Sequence, residues 1–135
     1  MGGGTGTQMN IDIRHGFPFI EVTICYRGEE LHLKNVLLDT GSAGTIFSAD
    51  AVDSVGVRVE PGDFLNKIRG VGGVEVVYSK HFDFVKIGEA ELSAFEVEIG
   101  DMNYGMEIDG ILGFDFIYSA GLVIDSKELA VLAKG

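Results

Sequence analysis

The stretch Val36-Leu37-Leu38-Asp39-Thr40-Gly41-Ser42 places a carboxylate directly after an apolar run. Three consecutive apolar residues are typical of a strand that is buried on both faces. Glycine next to the carboxylate allows a sharp backbone turn, and the flanking hydroxyls can donate hydrogen bonds to neighbouring groups. Asp39 is therefore expected to be a positioned, partly desolvated side chain. The alternative reading is an Asx turn that closes a hairpin.

The residues before this stretch follow the two-residue period of a strand. One face is apolar and the other is mostly polar: Ile20, Val22, Ile24 and Tyr26 against Glu21, Thr23, Cys25 and Arg27. A turn at residues 27–29 interrupts the pattern, which resumes at Leu31 and changes phase near Asn35. This pattern predicts a hairpin whose second strand enters the core.

Strands also dominate the rest of the chain. Residues 74–79 and 94–99 alternate, and two apolar segments, Leu122–Ile124 and Leu129–Leu132, are predicted to form a closing hairpin. Helical signals are few. Ser48 can cap a short helix that ends at Gly56, and a second short helix is predicted from Phe114 to Ala120. The expected fold class is all-β, a small closed or sandwiched domain.

The length of 135 residues suits one domain. We assign residues 1–8 to a flexible glycine-rich leader or linker and residues 9–135 to a single domain. The first seven residues lack the basic and apolar regions of a signal peptide. No apolar run approaches the roughly 20 residues of a membrane span. A cytoplasmic location is therefore expected, and a membrane is not expected as a partner.

Charge and side-chain chemistry exclude several classes of function. Ten Lys and Arg against 21 Asp and Glu give a net charge of -11, the wrong sign for nucleic acid or an anionic membrane surface. His15, His32 and His81 lack the spacing of metal ligands, so no metal or cofactor is expected. The one cysteine, Cys25, lies on the polar face of its predicted strand without a histidine near it in sequence, which disfavours a cysteine nucleophile.

Two further segments accompany the Asp39 stretch. Ile111-Leu112-Gly113 is a second apolar segment that ends in glycine, and Gly70-Val71-Gly72-Gly73 is flanked by strand-like residues. In this order, the three segments resemble the retropepsin-like, single-domain aspartic proteases of retroviral type, and the pattern is closest to bacterial members. The resemblance extends from about Phe19 to Leu132. An ordinary surface hairpin is the alternative for the glycine-rich segment.

This resemblance implies a small closed β-barrel with one or two short helices, a flap hairpin and a homodimer. It implies that Thr40 links two loops across the dimer axis, that Gly41 approaches its symmetry mate and that Ser42 orients the outer oxygen of Asp39. Catalytic roles are thereby expected for Asp39, Thr40, Gly41 and Ser42. Substrate binding is expected for Gly70, Val71, Gly72 and Gly73 of the flap and for Ile111, Leu112 and Gly113.

A single Asp-Thr-Gly supplies half of a site that needs two carboxylates. Asp109 and Asp125 lack the Thr-Gly that follows Asp39, so both are interpreted as turn residues. Two chains would bring two copies of Asp39 together, and the pair would share one proton because both cannot ionise at about 3 Å. The expected function is hydrolysis of extended peptides with apolar residues at the cleavage site. The alternative is a catalytically silent dimerisation or peptide-binding module of a larger protein.

The dimer-forming edge is left open by the sequence. In retroviral relatives the terminal strands interleave, and the candidates here are Met9 to Ile13 and Leu129 to Leu132.

Overall fold

A computed structural model describes residues 8–70, 73–102 and 105–133. Within these ranges the chain forms eleven strands and two short α-helices. The strands are β1 (Gln8–Asn10), β2 (Asp12–Arg14), β3 (Phe17–Tyr26), β4 (Glu29–Leu38), β5 (Ile46–Ser48), β6 (Leu65–Gly70), β7 (Gly73–Ile87), β8 (Ala90–Gly100), β9 (Gly110–Leu112), β10 (Leu122–Asp125) and β11 (Ala130–Ala133). The helices are α1 (Ala49–Val52), which a 3-10 turn at Asp53–Val55 extends, and α2 (Phe114–Ala120).

Six strands form a closed circuit of hydrogen-bonded neighbours. The larger sheet has the order β2-β3-β4-β9-β5-β8-β7-β6, and an additional pairing between β3 and β7 joins strands that are distant in this order. The circuit therefore runs β3-β4-β9-β5-β8-β7 and returns to β3. Strand closure of this kind is the predicted small closed β-barrel, and the all-β fold class is confirmed.

The β3–β4 hairpin follows the predicted alternation. Its turn contains two residues with positive φ, Arg27 at 49° and Gly28 at 86°, a conformation that matches the twist of the flanking strands. The register between the strands shifts between Ile20 and Val22, opposite the predicted phase change near Asn35. Beyond the shift, Val36 and Leu38 are buried. The prediction that the second strand enters the core is confirmed.

One apolar cluster includes the inward face of β3, and a second, smaller cluster lies around Phe19 and Val77. Ile20, Val22, Ile24 and Tyr26 of the predicted apolar face are each at most 3% exposed. Phe82 contacts two other rings there, Tyr26 at a centroid distance of 5.3 Å and Phe47 at 5.5 Å. Edge-on and tilted aromatic pairs of this kind add to the stabilisation from area burial alone.

Cys25 does not lie on a wet face. It is 6% exposed because the β3–β7 pairing covers it, with Cys25 opposite Phe84. Its Sγ lies 3.5 Å from Oδ2 of Asp83, and burial, together with this carboxylate, raises the pKa of the thiol. The prediction that Cys25 lies on a solvent-exposed strand face is wrong. The pairing between β3 and β7 that causes its burial is not visible in the local sequence pattern.

The two ends of the described chain meet in a small second sheet of order β1-β11-β10. Met9 pairs with Val131 and Asn10 with Ala130, so the two candidate dimer-forming segments pair with each other within one chain. β1 begins at Gln8, opposite Leu132, which places Gln8 in the domain rather than in the leader. The predicted closing hairpin is confirmed as β10 and β11.

Both predicted helices are present. The Ser48 side chain accepts a hydrogen bond from the backbone N of Ala51 at the start of α1, and Gly56, with φ 84°, ends the following 3-10 turn. α2 has the predicted bounds and ends at Gly121, with φ 63°. In the part of the chain that the structure describes, neither helix has the length or apolar character needed to cross a membrane.

Candidate active site

Asp39 comes directly after the last residue of β4 and is half-buried. Strands β4 and β9 run parallel, with Leu37 opposite Ile111 and Leu38 opposite Leu112. The backbone N of Asp39 continues this pairing by donating to the carbonyl of Leu112 at 3.0 Å. The carboxylate therefore lies at the end of a strand that is held on both sides, as the sequence predicts.

A short loop fixes the carboxylate itself. The backbone N of Gly41 donates to Oδ1 of Asp39 at 2.9 Å, and the backbone N of Ser42 donates to the Asp39 carbonyl at 3.2 Å. Thr40 and Gly41 are exposed. We call residues 39–45 the Asp39 loop. Its exposed Thr40 and Gly41 are free of the core and face outward beside the carboxylate.

Ser42 differs from the expectation. Its hydroxyl donates to the carbonyl of Gly44 at 2.8 Å and not to the Asp39 carboxylate. In the single chain, the backbone amide of Gly41 makes the contact that was expected of the Ser42 side chain. A hydroxyl next to a tight turn bonds the nearest free carbonyl, which explains the difference.

Leu112 and Gly113 support the Asp39 loop from beneath. Leu112 is 0% exposed, and a Cβ on Gly113 would collide with the backbone carbonyl of Gly44. The backbone N of Phe114 donates to the carbonyl of Ser42 at 2.7 Å, which ties the start of α2 to the loop. Both Leu112 and Gly113 are buried and support the loop in the single chain, and their contact with substrate stays a prediction. Ile111, which is half-buried, stays a candidate contact.

The polar network at the end of the Asp39 loop was not predicted from the sequence. Thr45, 1% exposed, donates to Asp115 twice, from its backbone N at 3.1 Å and from Oγ1 at 2.7 Å. The same Oγ1 accepts from the backbone N of Gly113 at 3.0 Å. The available signal was an aspartate in the first turn of the predicted helix α2, a position where a carboxylate commonly accepts backbone hydrogen bonds.

A second network lies at the opposite end of the β4–β9 pairing. Oδ2 of Asp109 accepts from the backbone N of Asn35 at 3.1 Å and from its Nδ2 at 3.2 Å. The backbone of Asp109 donates to Asn35 at 2.8 Å and accepts from Ser48 at 2.8 Å. Asp109 thus ties β4, β5 and β9 together, three residue pairs before Asp39, and is not a second catalytic carboxylate.

Asp125 is confirmed as a turn residue. Its Oδ1 accepts from the backbone N of Lys127 at 3.1 Å and from that of Glu128 at 2.9 Å. This is the Asx-type geometry that the sequence predicts.

The glycine-rich segment lies at the end of the β6–β7 hairpin, where Gly70 pairs with Gly73. Val71 and Gly72, both predicted flap residues, lie outside the described residues. The base of this hairpin faces the Asp39 loop across a cavity of about 270 Å³, which we call the hairpin cleft. The cleft is lined by Gly44, Thr45, Phe64, Asn66, Ser79, Glu96, Glu98 and Asp115.

A second cavity, of about 310 Å³, borders the catalytic candidate directly. We call it the apolar groove. It is lined by Ile11, Ile13, Pro18, Leu38, Asp39, Thr40, Ile124, Ser126 and Leu129. Ile13 is 47% exposed and Leu129 is 40% exposed, so the groove presents apolar surface to solvent next to Asp39.

The three histidines are exposed, as predicted. His32 contacts Thr23 at 3.0 Å through Nδ1 and Glu21 at 2.5 Å through Nε2, on the outer face of β3 and β4. Across residues 8–70, 73–102 and 105–133, no group of three or more His, Cys, Asp or Glu side chains has the geometry of a metal site.

A family model described as aspartyl protease matches residues 20–116, which is more than half of the chain and contains both Asp39 and residues 111–113. The chain belongs to the aspartyl protease family. Among solved structures, this aspartyl protease family member is similar to a retropepsin-like aspartic protease from Rickettsia conorii, with a TM-score of 0.66. The match covers 93% of this chain and 96% of the other.

At 17% identity, the likeness to the Rickettsia protein shows the fold alone. The predicted resemblance to bacterial retropepsin-like proteins is confirmed at that level. No curated protein sequence matches this chain.

Proposed function

We propose that this aspartyl protease family member is a homodimeric endopeptidase in which two copies of Asp39 activate a water molecule. The observation that carries the proposal is the position of Asp39. It is a half-buried carboxylate at the end of a buried strand, oriented by the Gly41 amide at 2.9 Å and bordered by exposed Thr40. A titratable group held in this way in a concave surface is typical of a catalytic position.

The chemistry needs a second carboxylate, which a second chain supplies. Two carboxylates about 3 Å apart cannot both ionise, so the pair holds one proton. The ionised member is the general base that takes a proton from water as water attacks the scissile carbonyl. The protonated member is the general acid that donates to the developing oxyanion. The general base then passes the proton that it took from water to the leaving amine, and the other carboxylate recovers a proton as the tetrahedral intermediate collapses, so the pair again holds one proton. No metal is involved in these steps.

The apolar groove supports the dimer. Asp39 and Thr40 form part of its wall, so a second copy that packs on the groove brings its own Asp39 loop to the same place. Exposed Ile13 and Leu129 would lose contact with water in such a contact, which favours association. A two-fold contact uses the same patch on both chains, as a site made of two identical halves requires.

The hairpin cleft supports the binding of an extended peptide. It lies between the Asp39 loop and the base of the β6–β7 hairpin, and β6 is the last strand in the sheet order. An edge strand offers backbone groups for strand addition, which accepts many sequences.

Cleavage of a diverse mixture of unstructured peptides tests the proposed activity. The wild-type chain and Asp39→Asn are incubated with the mixture at several pH values between about 4 and 7.5, and products are identified by mass spectrometry. We expect cuts between apolar residues that only the wild type makes, with an optimum below neutral pH because the pair needs one proton. Identical product-free spectra, with dimers confirmed in solution, would instead favour a catalytically silent binding module.

Two matched substitutions test the dimer. Ile13→Glu places a charge in the apolar groove, whereas Val123→Glu places it on a strand residue of similar exposure, 43% against 47%, outside the groove lining. We expect Ile13→Glu to give a monomer without activity and Val123→Glu to remain an active dimer, measured by analytical ultracentrifugation and peptide cleavage. An active dimer of Ile13→Glu would contradict the assignment of the groove.

A further inference from the structure

The two strands of the β6–β7 hairpin differ in how they are attached to the domain. In the described part of the chain β6 pairs with one strand, β7, and lies at the open end of the sheet order. The chain reaches β6 through a turn at residues 60–63, in which the backbone N of Glu60 donates to Oδ2 of Asp63 at 2.6 Å. The outer arm of the hairpin therefore depends for its position on β7, on this turn and on an exposed hydrogen bond of 3.4 Å from Nδ2 of Asn66 to Oε2 of Glu98.

The turn closes around a buried ammonium group. Lys80 of β7 has a side chain that is 5% exposed, and its Nζ lies 2.6 Å from Oε1 of Glu60 and 2.9 Å from Oδ2 of Asp63. We call these three residues the Lys80 clamp. A buried lysine is rarely found without partners, and here two carboxylates from one turn supply them.

Arg27 extends the clamp to the rest of the barrel. Its guanidinium donates to both carboxylate oxygens of Glu60, at 2.7 Å and 3.1 Å, and lies 4.9 Å from the ring of Tyr26. Two parallel hydrogen bonds of this kind fix the direction of the carboxylate as well as its distance. The turn before β6 is thereby connected to β7 and to the β3–β4 turn at the same time.

The clamp lies next to the hairpin cleft along the chain. Phe64 follows Asp63 directly, its carbonyl accepts from the backbone N of Ser79 at 3.3 Å, and Phe64 and Ser79 both line the cleft. Thr45 of the Asp39 loop lines the opposite wall. Movement of the turn would therefore change the distance between the hairpin arm and the Asp39 loop.

We propose that Lys80, through Glu60 and Asp63, is a positioning residue that fixes the outer arm of the β6–β7 hairpin and so sets the width of the hairpin cleft in which an extended peptide binds. The role in peptide binding rests on the proposed function, whereas the anchoring of the arm does not. An arm without the clamp must be ordered when a peptide binds. Loss of the clamp therefore weakens peptide binding more than it slows the chemical step.

Hydrogen exchange and peptide kinetics on three variants test the proposal. Lys80→Met removes the ammonium, and Asp63→Asn removes one charge while Lys80 keeps Glu60. Arg58→Met is the control, because it removes an exposed ion pair with Asp53 in the same region, with side chains 66% and 60% exposed. Exchange is read at the β6 amides and, as an internal reference, at those of β3 and β4.

We expect Lys80→Met to speed exchange in β6 by about tenfold with β3 and β4 unchanged, since local opening costs less without the clamp. We expect its KM for a cleaved peptide to rise by about fivefold with kcat nearly constant. Asp63→Asn should show smaller changes in the same direction and Arg58→Met none. If Lys80→Met fails to fold, β6 exchange and the KM of Asp63→Asn test the proposal.

Unchanged β6 exchange in both clamp variants would overturn the proposal, and so would an equal rise in β3 and β4, which would show a general loss of stability. A fall in kcat with KM unchanged would also contradict it. If no variant, including the wild type, cleaves any peptide, the proposed function fails, and exchange in β6 still decides whether the clamp anchors the arm.

Discussion

The two walls of the hairpin cleft are held by different forces. The floor is the end of the Asp39 loop, which rests on residues 112–114 through backbone hydrogen bonds of 2.7 to 3.0 Å and through an approach of Gly113 too close for any side chain. The outer arm of the opposite wall, β6 and the turn before it, is joined to the domain by its pairing with β7, by the ion pairs of the Lys80 clamp and by an exposed hydrogen bond from Asn66 to Glu98.

This difference matches what each wall would have to do. A floor built from backbone contacts in the core keeps a carboxylate in one place, and such precision is what acid–base chemistry requires. A wall attached by charges at the edge of the sheet can move without disturbing the core, because its attachments are few and local. The comparison predicts that substitutions in the floor affect the whole fold, whereas substitutions in the clamp act locally.

Gly113→Ala should have the largest effect on stability. Its Cβ would meet the carbonyls of Gly44 and Ser42, so the Asp39 loop must move, and we expect a loss of about 3 kcal/mol in the free energy of unfolding. Gly44→Ala is the control, since its Cβ would meet only Oε1 of Glu98 at 3.7 Å. Urea denaturation measures both. Equal stability of the two variants would contradict the close packing of the floor.

Asp109→Ala should have the next largest effect. It leaves the backbone N of Asn35 without its side-chain acceptor and releases one end of the β4–β9 pairing, at a cost of about 2 kcal/mol. Asp109→Asn keeps an oxygen acceptor and should lose less. Glu107→Ala, which removes an exposed contact with Asn35 at 3.3 Å, should be close to wild type. Thermal unfolding at neutral pH ranks the three, and a reversed order would refute the role assigned to Asp109.

The smallest expected effect is the pH dependence of the stabilisation that the Lys80 clamp provides. Hydrogen bonds from Arg27 and Lys80 lower the pKa of Glu60 from 4.5 to about 2, and the hydrogen bond from Lys80 lowers the pKa of Asp63. For Lys80, burial alone would lower the pKa, but the two carboxylates outweigh it and raise the pKa. The clamp therefore stays ionised in the folded protein throughout mild acid.

A lowered carboxyl pKa stabilises the fold above the unfolded value and ceases to do so as pH falls through the folded value. The ratio of β6 exchange rates between Lys80→Met and wild type should thus be constant from pH 7 to about pH 5, decline below that and approach one near pH 2. Hydrogen exchange at the β6 amides, corrected at each pH for the intrinsic rate, measures it. A ratio that grows in acid would contradict the assignment of these ion pairs.

The sequence predicts the floor of the hairpin cleft better than its opposite wall, and the reason is physical. Asp39 follows an apolar run and Gly113 ends another, and both are local patterns that require a buried strand and a turn. The β3–β4 hairpin and α2 are predicted equally well, because the alternation of apolar and polar residues and the helix caps are local signals.

Features that depend on contacts distant in sequence were missed. The pairing of Met9 with Val131, the burial of Cys25 by β7 and the clamp between Glu60 and Lys80 all join residues that are far apart in the chain.

The most direct test of a site made from two halves is a mixing experiment. Wild-type chain and Asp39→Asn are unfolded together, refolded at a fixed total concentration and assayed for peptide cleavage at mildly acidic pH, with the proportion of the variant increased stepwise. Random pairing predicts that an equal mixture retains about one quarter of the wild-type activity, because mixed dimers carry a single carboxylate. Retention of about one half, in proportion to the wild-type chains present, would show that each chain acts alone and would contradict the shared site at Asp39.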